Sequence, residues 1–193
     1  THALIVQSSA PSRTIDMDDA GAPIFGDGAA ATVVGPVSGD RGILSAVHFV
    51  DGRYPKTLIA SVPGKRWFDD GAAVIYVHDR RQMREVFLRT VDCCAGSVAS
   101  ALEAANQPAE AVDFLAMYQG MPWIRELVQQ RTGTTRARSV ETFARTGYLA
   151  SALVPASLYF AEQDGALSAG DLVVLTGGGT GMTYGAIAMR WGR

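Results

Sequence analysis

The sequence predicts an α/β fold with parallel strands in its sheet, and three observations carry that expectation. Short apolar runs bounded by Gly, Pro and Asp alternate with longer stretches whose apolar residues recur every three or four positions, which is the pattern of strands alternating with helices. A strand, glycine turn, small-residue strand sequence occurs near both ends of the chain, as at the ends of two duplicated units. The 193 residues are 48% hydrophobic and 19% charged, enough to bury a sizeable core and unlike a disordered chain.

Taken in order, Ala3-Leu4-Ile5-Val6 opens a stretch, Ala3–Ser8, that reads as a buried strand. A central strand usually has a preceding element, so the chain reads either as starting in the middle of a fold or as an ordinary start that lost its methionine. Ala29–Gly35, Ile43–Val50 and Thr57–Ser61 are further strands, set apart by the turn-forming stretches Pro36–Gly42 and Asp51–Pro55. Then the period changes. Met83, Val86, Phe87, Val91, Cys94, Val98, Ala101, Leu102 and Ala105 form the stripe of one long amphipathic helix over Arg80–Ala105, with Asp79 as its cap, Pro108 as a stop marker and Gly96 as a point of bending. Asp113–Met117 reads as a strand, Pro122–Gln130 as a helix with Pro in its first turn, and Leu149–Gln163 as a second strong helix. A strand over Leu172–Thr176, a glycine turn and a last strand over Thr183–Trp191 complete the chain.

Composition excludes several function classes. Seventeen Lys+Arg against nineteen Asp+Glu give a net charge of −2, so no basic excess exists to neutralise phosphates and nucleic acid is not an expected partner. No apolar run approaches the roughly 18 residues of a membrane helix, and no charged-then-apolar leader opens the sequence. The cysteines Cys93 and Cys94 are adjacent, no CxxC occurs, and His2, His48 and His78 are scattered. That leaves no metal ligand set and fits a reducing, cytoplasmic setting.

Two glycine motifs need weighing. Gly26-Asp27-Gly28-Ala29-Ala30-Ala31 fits a permissive dinucleotide pattern, but a strand follows it where a helix N-terminus is required. Gly177–Gly181 lacks the Lys-Ser/Thr of a phosphate loop. It reads either as a tight turn with close backbone packing or as a set of unhindered N–H groups facing a carbonyl oxygen, with Gly179, Thr180 and Gly181 as the donors.

These residues together resemble one family. Phe25–Val34 is similar to the FGDGAGA segment of the thiolase superfamily in its beta-ketoacyl-acyl-carrier-protein synthase III branch. Leu175–Trp191 is similar to that branch's closing glycine loop, its threonine–aromatic–glycine step (Thr183-Tyr184-Gly185) and its final strand. The resemblance covers essentially the whole chain. It implies the five-layered αβαβα thiolase fold, with residues 1–42 as the tail of the N-terminal half and 43–193 as the complete C-terminal half.

The family's triad is a nucleophilic Cys in the first half and a His and an Asn in the second. By the resemblance the Cys lies before Thr1, and Cys93 and Cys94, inside the long helix, do not replace it. The His-Gln segment matches Tyr118-Gln119-Gly120-Met121 and the Gly-Asn segment matches Gly147-Tyr148, so Tyr118 and Tyr148 stand where His and Asn are expected. A phenol can donate a hydrogen bond to an oxyanion, but with a pKa near ~10 it is a poor general base at neutral pH. Tyr148 also narrows the space for a malonyl group.

Three readings follow from the resemblance. The chain is part of an acyltransferase that moves an acyl group from a carrier-protein or CoA thioester, through a Cys outside this chain, to a nucleophile. Or it is a catalytically silent thiolase-fold partner in a heteromer. Or decarboxylative condensation survives with Tyr118 and Tyr148 as enolate donors. No bound cofactor is implied; the thioester of phosphopantetheine or CoA is substrate. An acidic carrier would favour a basic entrance, for which Arg80, Arg81, Arg84, Arg125 and Lys65-Arg66-Trp67 are candidates. The expected partners are the N-terminal half carrying the Cys and, since thiolase folds associate through their central sheet region, a second copy or a companion subunit.

Overall fold

The computed structural model describes every residue except Ala20, Trp67, Thr180 and Arg193. β1 (Ala3–Ser9) and β2 (Gly28–Val34) pair antiparallel. β3 (Gly42–Val50) leads to a small pair, β4 (Leu58–Ser61) with β5 (Val74–Val77), and then to the long helix α1 (Arg80–Ala104). β6 (Phe114–Met117), α2 (Ile124–Thr132), the four-residue α3 (Phe143–Thr146) and α4 (Leu153–Gln163) follow, and β7 (Leu172–Gly179) and β8 (Thr183–Arg190) close the chain.

The main sheet has the order β3-β8-β7-β6. Because successive residues of a strand point to opposite faces, each strand feeds two cores. Leu115, Met117, Leu172, Val174, Ala186 and Ala188 pack with Val98, Leu102 and Cys94 of α1 and Val128 of α2. Phe114, Ala116 and Val173 pack with Leu158 and Ala161 of α4 on the other face. α4 in turn meets β2, where Leu153 and Ala156 lie against Ala30. The layers therefore run helices α1 and α2, main sheet, α4, then the β1–β2 pair, four successive layers of alternating type.

α1 forms where the 3–4 stripe and the cap demand it. Asp79 is extended, and its carboxylate accepts from the N–H groups of Arg81 (2.8 Å) and Gln82 (3.2 Å), satisfying donors that have no partner within the helix. The helix runs without interruption through Gly96, which faces solvent.

The structure corrects several other expectations. Among the described strand pairs of the main sheet only β6–β7 is parallel; β3–β8 and β7–β8 are antiparallel, β8 following β7 within a few residues with no crossover helix between them. β1 is not buried: Leu4 and Val6 are each 64% exposed, since α4 covers the pair from one side only. Pro122 lies in the turn before α2. Residues Ala150–Ala152 form a 3-10 turn, so the helix expected from Leu149 starts at Leu153. Gly177–Gly179, expected in a turn, are instead the last residues of β7, paired with Gly185, Tyr184 and Thr183.

Candidate functional site

Tyr118 sits at the carboxyl end of β6, where its N–H donates to the carbonyl of Thr176 (2.9 Å) and lengthens the parallel ladder by one residue. Loops diverging from the carboxyl ends of parallel strands are the usual place for a site in α/β sheets. The next residue fixes its surroundings. Gln119 is fully buried; its Nε2 donates to the Val140 carbonyl (2.8 Å) and its Oε1 accepts from the Thr142 N–H (3.0 Å). That bracket holds the strand-like stretch that runs into α3 and, beyond it, to Tyr148.

Tyr148 is anchored by backbone to the far end of the sequence. Its N–H donates to the Ile24 carbonyl (2.8 Å), and its carbonyl accepts from the Gly26 N–H (3.1 Å). The contact is close enough that a Cβ on Gly26 would overlap the Thr146 carbonyl, and one on Gly28 would stand 2.9 Å from Leu149 Cδ2. The two glycines of the Phe25–Val34 segment therefore admit the 146–149 segment, not a dinucleotide. Between them the Asp27 carboxylate accepts from the backbone N–H and hydroxyl of Ser12, and these bonds hold it below the usual carboxylate range.

The structure brings Tyr118 and Tyr148 together. Their ring centroids are 5.3 Å apart and nearly perpendicular, at 79°. Phe25 extends the stack, 5.3 Å from Tyr148 on a tilt of 52°, an edge-on arrangement that aromatic quadrupoles favour. Burial pushes both phenols above their ordinary range, and the neighbouring Tyr148 and Cys94 push Tyr118 further. Both hydroxyls are protonated at neutral pH, so the pair can donate hydrogen bonds and has no base to offer.

The other groups around the pair come from α1 and β8. Cys94 is fully buried, and burial pushes its thiol up to about 12, which makes it a small hydrophobe rather than a nucleophile. Tyr184 is buried beside Cys93, and burial raises its phenol as well. Sequence reasoning named Tyr184 only as part of the closing segment. The alternation of β8, which turns residues 184, 186 and 188 toward α1, is the signal that places it near the site.

The remaining predicted residues lie elsewhere. Gly179 ends β7, Gly181 lies in the turn to β8, and Thr180 falls outside the described residues. Met182 and Asp51 exchange N–H to carbonyl bonds of 2.8 and 2.7 Å, pinning that turn to the end of β3. Asp51 also holds Arg53 through bonds of 2.8 and 2.6 Å, which lower its carboxyl to about 2. Arg80 and Arg81 are exposed on the first turn of α1. Arg125 is half-buried on α2 with its Nη1 on Gln129 Oε1 (3.2 Å). Lys65 and Arg66 are engaged locally, with the Asp70 carbonyl (2.9 Å) and the Asp69 carboxylate (3.1 Å), and Trp67 lies outside the described residues.

The alternating layers and the placement of the Tyr pair at the carboxyl end of β6 define a thiolase-like α/β protein. Comparison with known proteins makes this specific. Residues 1–52 match the model of 3-oxoacyl-[acyl-carrier-protein] synthase III, and residues 102–191 match the model of its C-terminal part. The chain belongs to the 3-oxoacyl-[acyl-carrier-protein] synthase III family of the thiolase superfamily. It is 36% identical over 193 residues to the beta-ketoacyl-[acyl-carrier-protein] synthase III of Bacillus pumilus, covering 100% of this chain and 58% of that protein. Against the corresponding protein of Yersinia enterocolitica it is 34% identical over 191 residues, covering 98% and 58%. The crystal structure of the Thermus thermophilus synthase III superposes with a TM-score of 0.84 at 31% identity, over 99% of this chain and 59% of that one. The priming beta-ketosynthase of the R1128 polyketide pathway gives 0.86 at 25% identity, over 98% and 57%. The chain thus spans well under two thirds of the length of these relatives.

Proposed function

We propose that residues 1–42 are the tail of the N-terminal half, and residues 43–193 the C-terminal half, of a divergent ketosynthase III-like acyltransferase. Its nucleophilic Cys lies outside this chain, on the first half or a companion polypeptide. The acyl group leaves the sulfur of a carrier-protein or CoA thioester for the Cys sulfur, releasing the carrier thiol. An alcohol or amine then attacks the acyl carbon, forms an ester or amide, and returns a proton to the Cys sulfur. Tyr118 and Tyr148 donate hydrogen bonds to the oxyanion in both steps, with the N–H groups of Gly179 and Gly181 as further donors.

The observation that carries this reading is the edge-on pair of protonated phenols, 5.3 Å apart, at the carboxyl end of β6. Donors without a base suit oxyanion stabilisation, and two rings plus Phe25 leave less room for a malonyl group than His and Asn would. Arg80 and Arg81 add positive charge to the positive end of the α1 dipole. With Arg125 they form our candidate contact for an acidic carrier.

Denaturing intact-mass analysis of the complete, natively purified protein, before and after incubation with a panel of acyl thioesters, tests the proposal. An acyl adduct on a Cys outside this chain is expected. A protein that takes no acyl group from any donor moves the weight to a silent, structural subunit. Release of carbon dioxide from a malonyl thioester replaces transfer with condensation. Tyr118→Phe is expected to lower turnover about 10- to 100-fold with little change in Tm, and full activity in that variant removes the donor role.

A further inference from the structure

Gly120 has no backbone reason to be glycine. It is buried, and its φ lies outside the left-handed region that excludes side chains. What excludes a side chain there is the ring of Tyr118. A Cβ built on Gly120 would overlap the Tyr118 hydroxyl and its Cζ and stand 3.0 Å from Cε1. Tyr118 therefore folds back across the α-carbon two residues ahead of it, and this fold-back sets the ring edge-on against Tyr148. β8 uses the same device once more, since a Cβ on Gly178 would stand 2.7 Å from Tyr184 Cδ1.

We propose that Gly120 is a positioning residue, a seat that holds the Tyr118 ring in the orientation that presents its hydroxyl beside Tyr148. Any side chain at 120 turns the ring away. This inference rests on the donor role of Tyr118 for its catalytic meaning, though not for its structural content. The groups that act electrostatically on the Tyr118 hydroxyl are Tyr148 from the segment after α3, Cys94 from α1 and Tyr184 from β8.

The test is a double-mutant cycle on the complete protein. Gly120→Ala is expected to lower Tm by about 5 °C or more beside Tyr118. In a Tyr118→Ala background the same change is expected to be neutral or slightly stabilising, because Ala restricts the unfolded chain more than Gly does. Equal losses in both backgrounds overturn the proposal. A spectroscopic readout separates seating from simple destabilisation: the phenolate absorbance of Tyr118, assigned by difference against Tyr118→Phe, should appear at lower pH in Gly120→Ala, and an unmoved titration overturns the seat. If the titration moves and turnover falls by the same factor as in Tyr118→Phe, seat and donor role both stand. If it moves while turnover holds, the seat stands and the donor role falls.

Discussion

The β1–β2 pair and the β7–β8 pair are built alike and buried differently. Each is antiparallel, each joins an apolar strand to a strand of small residues, and each has glycines close to the connection between its strands. Leu172 and Val173 of β7 are fully buried, one facing α1 and the other α4, whereas Leu4 and Val6 of β1 and Val33 of β2 are more than 60% exposed. Pairing is thus a property of the local sequence, and burial is a property of what lies above and below. The glycines teach the same lesson in detail. Gly26 makes room for the backbone of Thr146, while Gly178 makes room for the ring of Tyr184.

Core truncation separates the two pairs most strongly. Leu172→Ala should cost about 2–5 kcal/mol, and Val6→Ala under about 1 kcal/mol in this chain by itself, read from denaturant midpoints at constant slope. In the complete protein, a cost for Val6→Ala approaching that of Leu172→Ala would reveal a covering layer over β1. Gly26→Ala comes next, at about 2–3 kcal/mol, because the overlapped atom is backbone. Gly179→Ala should be far milder, since the built Cβ meets only the Thr183 hydroxyl at 3.2 Å. Similar losses at both positions would contradict the close-packing account of the Gly26–Gly28 segment.

Titration divides the pairs by sign. Tyr118, Tyr184 and Cys94, on the β7–β8 side, have raised folded pKa values through burial. The folded state then keeps protons that the unfolded state loses, so stability is full below the ordinary thiol and phenol ranges and falls as pH climbs above ~9. Melting curves against pH should show this fall, and Cys94→Ala should delay its onset. Asp27, on the β1–β2 side, has a lowered carboxyl. Its contribution is present above the unfolded carboxylate range and is lost as pH falls below ~4. This is the smallest effect, because the group is exposed, and Ser12→Ala should reduce it without abolishing it, since the backbone N–H of residue 12 still donates to Asp27.

Periodicity made the main sheet and α1 legible before any coordinates, because burial on both faces writes itself as apolar runs and a 3–4 stripe. The same rule misled at β1, where an apolar run marks a strand without saying whether this chain covers it. β5 and α3, four residues each, have no counterpart in the sequence reading, although β4 and β6 of the same length do. The Tyr118 and Tyr148 positions could be named from family motifs, but their ring contact depends on Gly120, Gln119 and the Phe25 segment. No single window of sequence contains all of those.

The anchoring of Tyr148 has a kinetic side. Its backbone partners Ile24 and Gly26, and the bond from Ser151 to the Ser8 carbonyl 143 residues away, join segments far apart in sequence. Loop closure over such separations is slow and comes after local helices and hairpins have formed. The Tyr pair therefore assembles late, and during synthesis it cannot exist until the segment around residue 148 is free to meet residues 8–26.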